Sequence, residues 1–126
     1  MARSALLPTA SELEILQVIW RHGPMTVRTV YQTLAQDREI GYSTVLKFMQ
    51  IMTDKGTLVR DESVRPQLYH AARPREQTQR RILRDLAARA FGGSSASLVM
   101  QALSDRRASA EERRQIRALL DEMDRK

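Results

Sequence analysis

Apolar residues recur at helical spacing in three consecutive segments at the start of the chain. The first segment begins at Thr9, which is followed three residues later by Glu12 in the arrangement of a capping box, and it stops at Gly23-Pro24. The second segment follows Thr26 and stops near Ala35, and the third runs over residues 41–56 between two glycines. The pattern predicts three helices in a row.

The third predicted helix has two different faces. One face is the apolar stripe of a helix docked on a core, and it comprises Val45, Phe48, Met49 and Met52. The opposite face is short, mostly uncharged and rich in hydrogen-bonding groups, and it comprises Ser43, Lys47, Gln50 and Asp54. Such a face is better suited to reading the edges of bases than to gripping a charge.

The periodicity changes after the third segment. Two short β-prone runs, residues 57–61 and 67–71, are separated by residues 62–66, which predicts a hairpin with a loop of four to five residues. Three helices followed by a hairpin are the order of a winged helix-turn-helix, in which the third helix enters the major groove and the hairpin lies along the backbone. We therefore expect a mainly α fold with a small β-hairpin.

This architecture assigns candidate roles to named side chains. The first turns of the third helix would face base edges and nearby phosphates, through Tyr42, Ser43, Thr44, Lys47 and Gln50. Arg60 and Arg65 would be contacts of the wing with phosphates. Two other interpretations stay open: a polar helix face is often only solvated, and winged helices also serve as protein-interaction modules. Arg65-Pro66 also fits a simple turn.

The second half of the chain predicts a dimerisation segment. Arg73-Pro74 marks a boundary between residues 1–72 and 73–126, and helices are predicted over residues 75–91, over 96–103 after Gly92-Gly93, and from a second capping box at Ser109 and Glu112. Three such helices carry more apolar surface than a short segment can hide, so a partner chain is expected, with folding back onto the first half as the alternative. The candidate interface residues are Leu83, Leu86, Phe91, Leu98, Ile116, Leu119, Leu120 and Met123.

The net charge of the chain indicates a polyanionic partner. The chain has 21 basic and 15 acidic residues, a net charge of +6, but residues 1–72 carry only +1 and residues 73–126 carry +5. Affinity of the first half for DNA must therefore come from the local placement of its charges.

The composition excludes several kinds of chemistry. The chain has no cysteine and only two histidines, the distant His22 and His70, so neither a metal centre nor a nucleophilic site is expected, and no cofactor is implied. Clustered acids are also lacking, which disfavours a nucleic-acid-processing enzyme. No run of about 18 apolar residues is present, and the start has only a short apolar stretch. We expect a cytoplasmic protein without membrane insertion and without enzymatic activity.

Several longer stretches resemble the penicillinase repressor family, the BlaI/MecI regulators and their CopY-type relatives. These stretches are SELEILQVIW, YSTVLKFMQIMTDKG, YHAARPRE, AFGGSSASLVMQALSD and SAEERRQIRALLDEM, and the resemblance runs from Thr9 to Lys126. It implies a cytosolic homodimer whose winged helices repress genes at palindromic operators. It also implies a partner, a membrane-embedded zinc-protease sensor, which in the best-known branch leads to cleavage in the short helix, here around Met100, Gln101 and Ala102.

The chain departs from the family pattern at three points. Ile51 stands where several relatives have a basic residue, which puts a contact there in doubt. Gln101 and Ala102 stand where the β-lactam branch has asparagine and a bulky aromatic residue, so proteolytic release is an open expectation. The lack of cysteine excludes copper sensing through the cysteine hook of the CopY branch.

Overall fold

The computed structural model describes residues 7–126, which form six α-helices and one antiparallel β-hairpin. The elements are α1 (Ala10–His22), α2 (Val27–Ala35), α3 (Tyr42–Asp54), β1 (Leu58–Asp61), β2 (Leu68–Ala71), α4 (Arg75–Ala90), α5 (Ser95–Asp105) and α6 (Ala110–Asp124). This order confirms the predicted fold class. The prediction that the chain starts without a signal peptide falls largely on residues 1–6, outside the described residues. Among the helices of residues 7–126, none is long and apolar enough to cross a bilayer.

The predicted capping groups start the first two helices. The Thr9 hydroxyl accepts a hydrogen bond from the Glu12 amide at 3.2 Å, and the Thr9 amide donates to Glu12 Oε1 at 3.1 Å, which completes the capping box of α1. Gly23, with φ of 89°, then turns the chain out of α1 in a conformation that favours glycine. Thr26 caps α2 by accepting from the Thr29 amide at 3.1 Å.

The first three helices and the hairpin enclose one core. Its fully buried side chains come from α1, α2, α3 and β1, and they are Ile15, Leu16, Val30, Val45, Met49, Met52 and Leu58. Trp20, Tyr31 and Phe48 pack against this cluster from its edge. The predicted apolar face of α3 is thereby confirmed as the face that α3 buries.

The hairpin is attached to the helices through a short backbone bridge. Met25, in the connection between α1 and α2, donates to the Tyr69 carbonyl at 3.0 Å and accepts from the Tyr69 amide at 2.8 Å. The loop of the hairpin covers residues 62–67, one residue more than predicted, because the pairing ends at Asp61 and Leu68. The Asp61 carboxylate accepts from the Ser63 amide at 2.9 Å and turns the chain directly after β1.

An ion pair between a buried carboxylate and a partly exposed lysine joins the start of α1 to the end of α3. Glu12 is only 3% exposed, and both of its carboxylate oxygens accept hydrogen bonds of 3.1 Å from Lys55 Nζ. Lys55 is the C-cap residue of α3, and Glu12 is also part of the capping box of α1. The contact therefore fixes one end of α3 relative to α1.

The chain divides into two compact units between Ile82 and Leu83, within α4. The domain boundary between residues 72 and 73 stays a prediction. In the second unit, α5 is longer than the predicted residues 96–103, because Ser94 caps it by accepting from the Ser97 amide at 3.0 Å and Arg106 still donates to the Ala102 carbonyl at 3.2 Å. The predicted capping box at Ser109 and Glu112 is confirmed at the start of α6.

The helices of the second unit bury very little. Neither α5 nor α6 contains a buried residue, although both carry an apolar stripe. Ala87 is the buried residue of α4. The three C-terminal helices thus leave most of their apolar side chains in contact with solvent.

Replacing Lys55 by methionine should lower the free energy of unfolding by about 1–3 kcal/mol, because it leaves the buried Glu12 carboxylate without its charged partner. This is less than the loss expected of a fully buried pair, since the Lys55 side chain is 30% exposed. Urea unfolding followed by circular dichroism measures the change.

The matched control is Arg38→Met, which breaks the pair that Arg38 forms with Glu14 at 43% and 42% side-chain exposure. Exposed pairs contribute about 0–1 kcal/mol, so this variant should stay close to the wild type. Equal effects of the two substitutions would show that Glu12 and Lys55 do not hold α3 in place.

Candidate nucleic-acid interface

The packing of α3 decides which of its side chains reach solvent. Val45, Met49 and Met52 are all 0% exposed, so the opposite side of the helix faces outward. The five candidate residues of α3 are all exposed, and they are Tyr42, Ser43, Thr44, Lys47 and Gln50. The fold therefore leaves these side chains accessible between the first residue of α3 and Gln50, with all but Tyr42 on the side opposite the buried stripe.

This surface is rich in donors and acceptors and poor in charge. Ser43, Thr44 and Gln50 supply hydroxyl and amide groups, and Lys47 is the single formal charge among the five. Within residues 7–126, Lys47 has no ion-pair partner. Gly41 caps α3 without a side-chain hydrogen bond, so the first amides of the helix are free of a side-chain acceptor. Groups of this kind match base edges and backbone phosphates.

Tyr42 has neighbours that the sequence did not indicate. Its ring meets the Tyr31 ring edge to face, with 5.8 Å between the centroids and 81° between the planes. The guanidinium carbon of Arg28, on α2, lies 4.9 Å from the centroid of the Tyr42 ring. The sequence does not single out Arg28, because an arginine on a short amphipathic helix has the same pattern whether it binds a partner or is only solvated.

The two candidate arginines of the wing lie in different surroundings. Arg60 is paired with Tyr69 across the hairpin, and its Nε lies 3.2 Å from Glu62 Oε2. Hydrogen bonding to the side chain of Tyr69, and then to Glu62, raises the pKa of Arg60 above its ordinary value. Arg65 is exposed in the loop and has no ion-pair partner in the described part of the chain. Arg65 is therefore the more available cation.

A comparison with protein-family models gives a match over nearly the whole chain. The sequence model described as penicillinase repressor matches residues 8–122, which include the winged helix and nearly all of the C-terminal helices. The chain belongs to the penicillinase repressor family. A search of curated proteins found no significant match. Membership places the chain among transcriptional repressors, a class of DNA-binding regulators and not of enzymes, and it agrees with the helix-rich fold and its hairpin.

The repressor has an apolar side chain at a surface position of α3. Ile51 is 37% exposed and follows Gln50 directly, so it lies at the rim of the outward face. An isoleucine offers neither charge nor hydrogen bond there, and an apolar contact, such as one with a thymine methyl group, is what its chemistry allows.

The repressor has no metal site of the usual kind in its described residues. No group of three or more His, Cys, Asp or Glu side chains within residues 7–126 could hold a metal ion.

We predict that Lys47→Ala and Gln50→Ala each reduce the discrimination between the repressor's own operator and scrambled DNA. The loss should be about 1–3 kcal/mol where a bidentate contact with a base is removed. Fluorescence anisotropy titrations against both DNAs at one salt concentration measure it.

Arg65→Ala provides the contrast, because a phosphate contact should weaken both DNAs alike and lower the slope of log K against log salt by about 0.9. If Lys47→Ala and Gln50→Ala also weaken both DNAs equally, α3 does not read bases.

Proposed function

We propose that this repressor acts as a cytoplasmic homodimer that binds a palindromic operator, with α3 of each copy in the major groove. The observation that carries DNA reading is the exposed polar surface of α3, which is held outward by the complete burial of Val45, Met49 and Met52. The N-terminal winged helix of each copy, here called its head, would occupy one half-site. The two-fold symmetry of the dimer would match that of the palindrome.

The distribution of charge favours sequence-specific DNA binding over nonspecific electrostatic attraction to DNA. Residues 1–72 carry a net charge of only +1, so the winged helix has little general affinity for a polyanion. Its binding energy must come from placed groups: Lys47 and Gln50 at base edges, and Arg65 at a phosphate. Arg60 would contribute to the wing only by exchanging its contact with Glu62 for a phosphate.

The C-terminal helices support the homodimer. Leu119, Leu120 and Met123 of α6 are 60%, 53% and 62% exposed, and they form one stripe with Ile116. Leu83 and Leu86 of α4 are each 45% exposed, and Phe91 and Leu98 are half-buried. Amphipathic helices are stabilised by burying such stripes, at roughly 25 cal/mol per Å² of apolar surface. A second copy of the same segment offers a matching apolar surface.

Dimerisation and DNA binding would be coupled through linkage of the two heads. Once one head is bound, the other is held near its half-site at a high effective concentration, so the dimer binds the full operator far more tightly than one head binds a half-site. Loss of the dimer would then release the operator without any change in α3.

Release by proteolysis fits the position of α5. Met100 is 68% exposed, Gln101 and Ala102 are exposed as well, and α5 buries none of its residues. Gly92 and Gly93 precede the helix with φ of 59° and 85°, a conformation in which glycine is favoured. A membrane-embedded zinc-protease sensor is the proposed partner, and cleavage near Gln101 would detach α6 from the head.

The dimer is tested by placing a charge in the proposed interface. Leu119→Asp should separate the dimer, because an unpaired carboxylate would have to be buried against the partner's apolar stripe. Ala118→Asp introduces the same charge on the opposite side of α6 and should leave the dimer intact. Sedimentation velocity at micromolar concentration measures the oligomeric state.

The same two variants test the coupling to DNA. Leu119→Asp should weaken binding to the full operator by at least about tenfold and leave binding to an isolated half-site unchanged, since only linkage is lost. Wild-type protein that sediments as a monomer would contradict the proposal. A wild type without preference for a palindrome over scrambled DNA would favour a protein-interaction module.

Limited proteolysis tests whether residues 92–103, around α5, are the weak point of the chain, that is, the segment that opens locally most easily. We expect a nonspecific protease to cut first within residues 92–103, because this segment has few packing contacts and opens locally at low cost. Mass spectrometry identifies the first fragments. Primary cleavage in the hairpin loop, with residues 92–103 intact, would place the weak point elsewhere.

A further inference from the structure

Arg28 is held over the Tyr42 ring in the N-terminal unit. The guanidinium carbon lies 4.9 Å from the ring centroid, and the ring is itself supported edge-on by Tyr31. The Arg28 side chain is exposed. A contact with the face of an aromatic ring stabilises a cation without using a hydrogen-bond acceptor, so the N–H groups of Arg28 stay available to a ligand.

A cleft opens beside this contact, between α2, the start of α3 and the hairpin. Its volume is about 400 Å³, and its lining includes Arg28, Thr29, Gln32, Tyr42, Pro66 and Gln67. Among the described residues that line it, none is acidic. Hydroxyl and amide groups therefore accompany the guanidinium, a combination that suits an anionic oxygen.

Arg28 differs from Arg38 and Arg60 in its partners. Arg38 is paired with Glu14 and Arg60 with Glu62, whereas Arg28 has no carboxylate partner in the described part of the chain. Its guanidinium is held beside an aromatic ring, and these contacts leave its charge without a carboxylate. A cation that is partly ordered before binding and is not neutralised is suited to binding an anion.

We propose that Arg28 binds a phosphate of the operator backbone and that Tyr42 acts as its positioning residue. This rests on the proposed function. Tyr42 is the first residue of α3, so the guanidinium lies beside the end of the helix that would enter the groove, where the preceding helix of a helix-turn-helix crosses the backbone. The planar guanidinium binds two phosphate oxygens at once, which a lysine cannot do in the same geometry.

This assignment changes the role of Tyr42. Its ring holds the arginine. Tyr42→Phe keeps the ring and should therefore bind DNA more tightly than Tyr42→Leu. Tyr42→Leu removes the ring and should weaken binding about two- to fivefold, the range of an exposed cation–π contact.

The test of Arg28 compares Arg28→Gln with the matched control Arg21→Gln, which removes the same charge from an exposed arginine outside the cleft. Arg28→Gln should weaken binding to operator and to scrambled DNA about three- to tenfold alike, and it should lower the salt slope by about 0.9. Arg21→Gln should leave the slope unchanged. Melting temperatures equal to that of the wild type show that both variants are folded.

The test of Tyr42 is the double variant. If the ring acts through Arg28, Tyr42→Leu adds no further loss in the Arg28→Gln background. An equal loss in both backgrounds would mean that Tyr42 contacts DNA itself and would overturn its positioning role.

The salt slopes distinguish a failure of this inference from a failure of the proposed function. If the wild type prefers its operator and Arg28→Gln has the same salt slope as the wild type, the Arg28 contact is wrong and the proposed function stands. If the wild type does not prefer its operator, both are wrong.

Discussion

The rest of the structure depends on the burial of one stripe of α3. Val45, Met49 and Met52 have no exposed surface, and rotating the helix by one residue, about 100°, would bring polar side chains into the core. The Glu12–Lys55 pair adds a second constraint at the end of the helix. The buried stripe and the ion pair together therefore set which face of α3 meets solvent and how the helix is oriented. Reading base edges demands such a fixed geometry, since hydrogen bonds to bases weaken steeply with misalignment.

The two compact units differ in how many of their apolar side chains they bury. The N-terminal unit completes a core from its own helices and hairpin, whereas α5 and α6 bury none of their residues. In the proposed homodimer, a second copy would cover this exposed apolar surface, and association would link two DNA-reading domains. In the proposed function, affinity for the operator is thus controlled by a segment other than α3, so cutting or dissociating the C-terminal segment would be sufficient for release.

Local patterns in the sequence predicted much of the fold. Both capping boxes, the ends of α1 and α2 and the buried face of α3 follow from residues within a few positions of one another. What escaped prediction joins distant parts of the chain: the Met25–Tyr69 bridge, the Glu12–Lys55 pair and the contact of Arg28 with Tyr42. Each of these residues is ordinary in its own segment, and the tertiary fold alone brings the partners together.

The central claim, that α3 reads a palindrome from the major groove, is tested most directly by a methylation-protection footprint of the wild-type repressor on its own upstream DNA. Guanine N7 lies in the major groove, so its protection reports on that groove. The account predicts protected guanines in two half-sites related by a dyad, with centres about 10–10.5 base pairs or a multiple of that apart. Saturated binding with no protected guanines, or with protection that lacks a dyad, would contradict it.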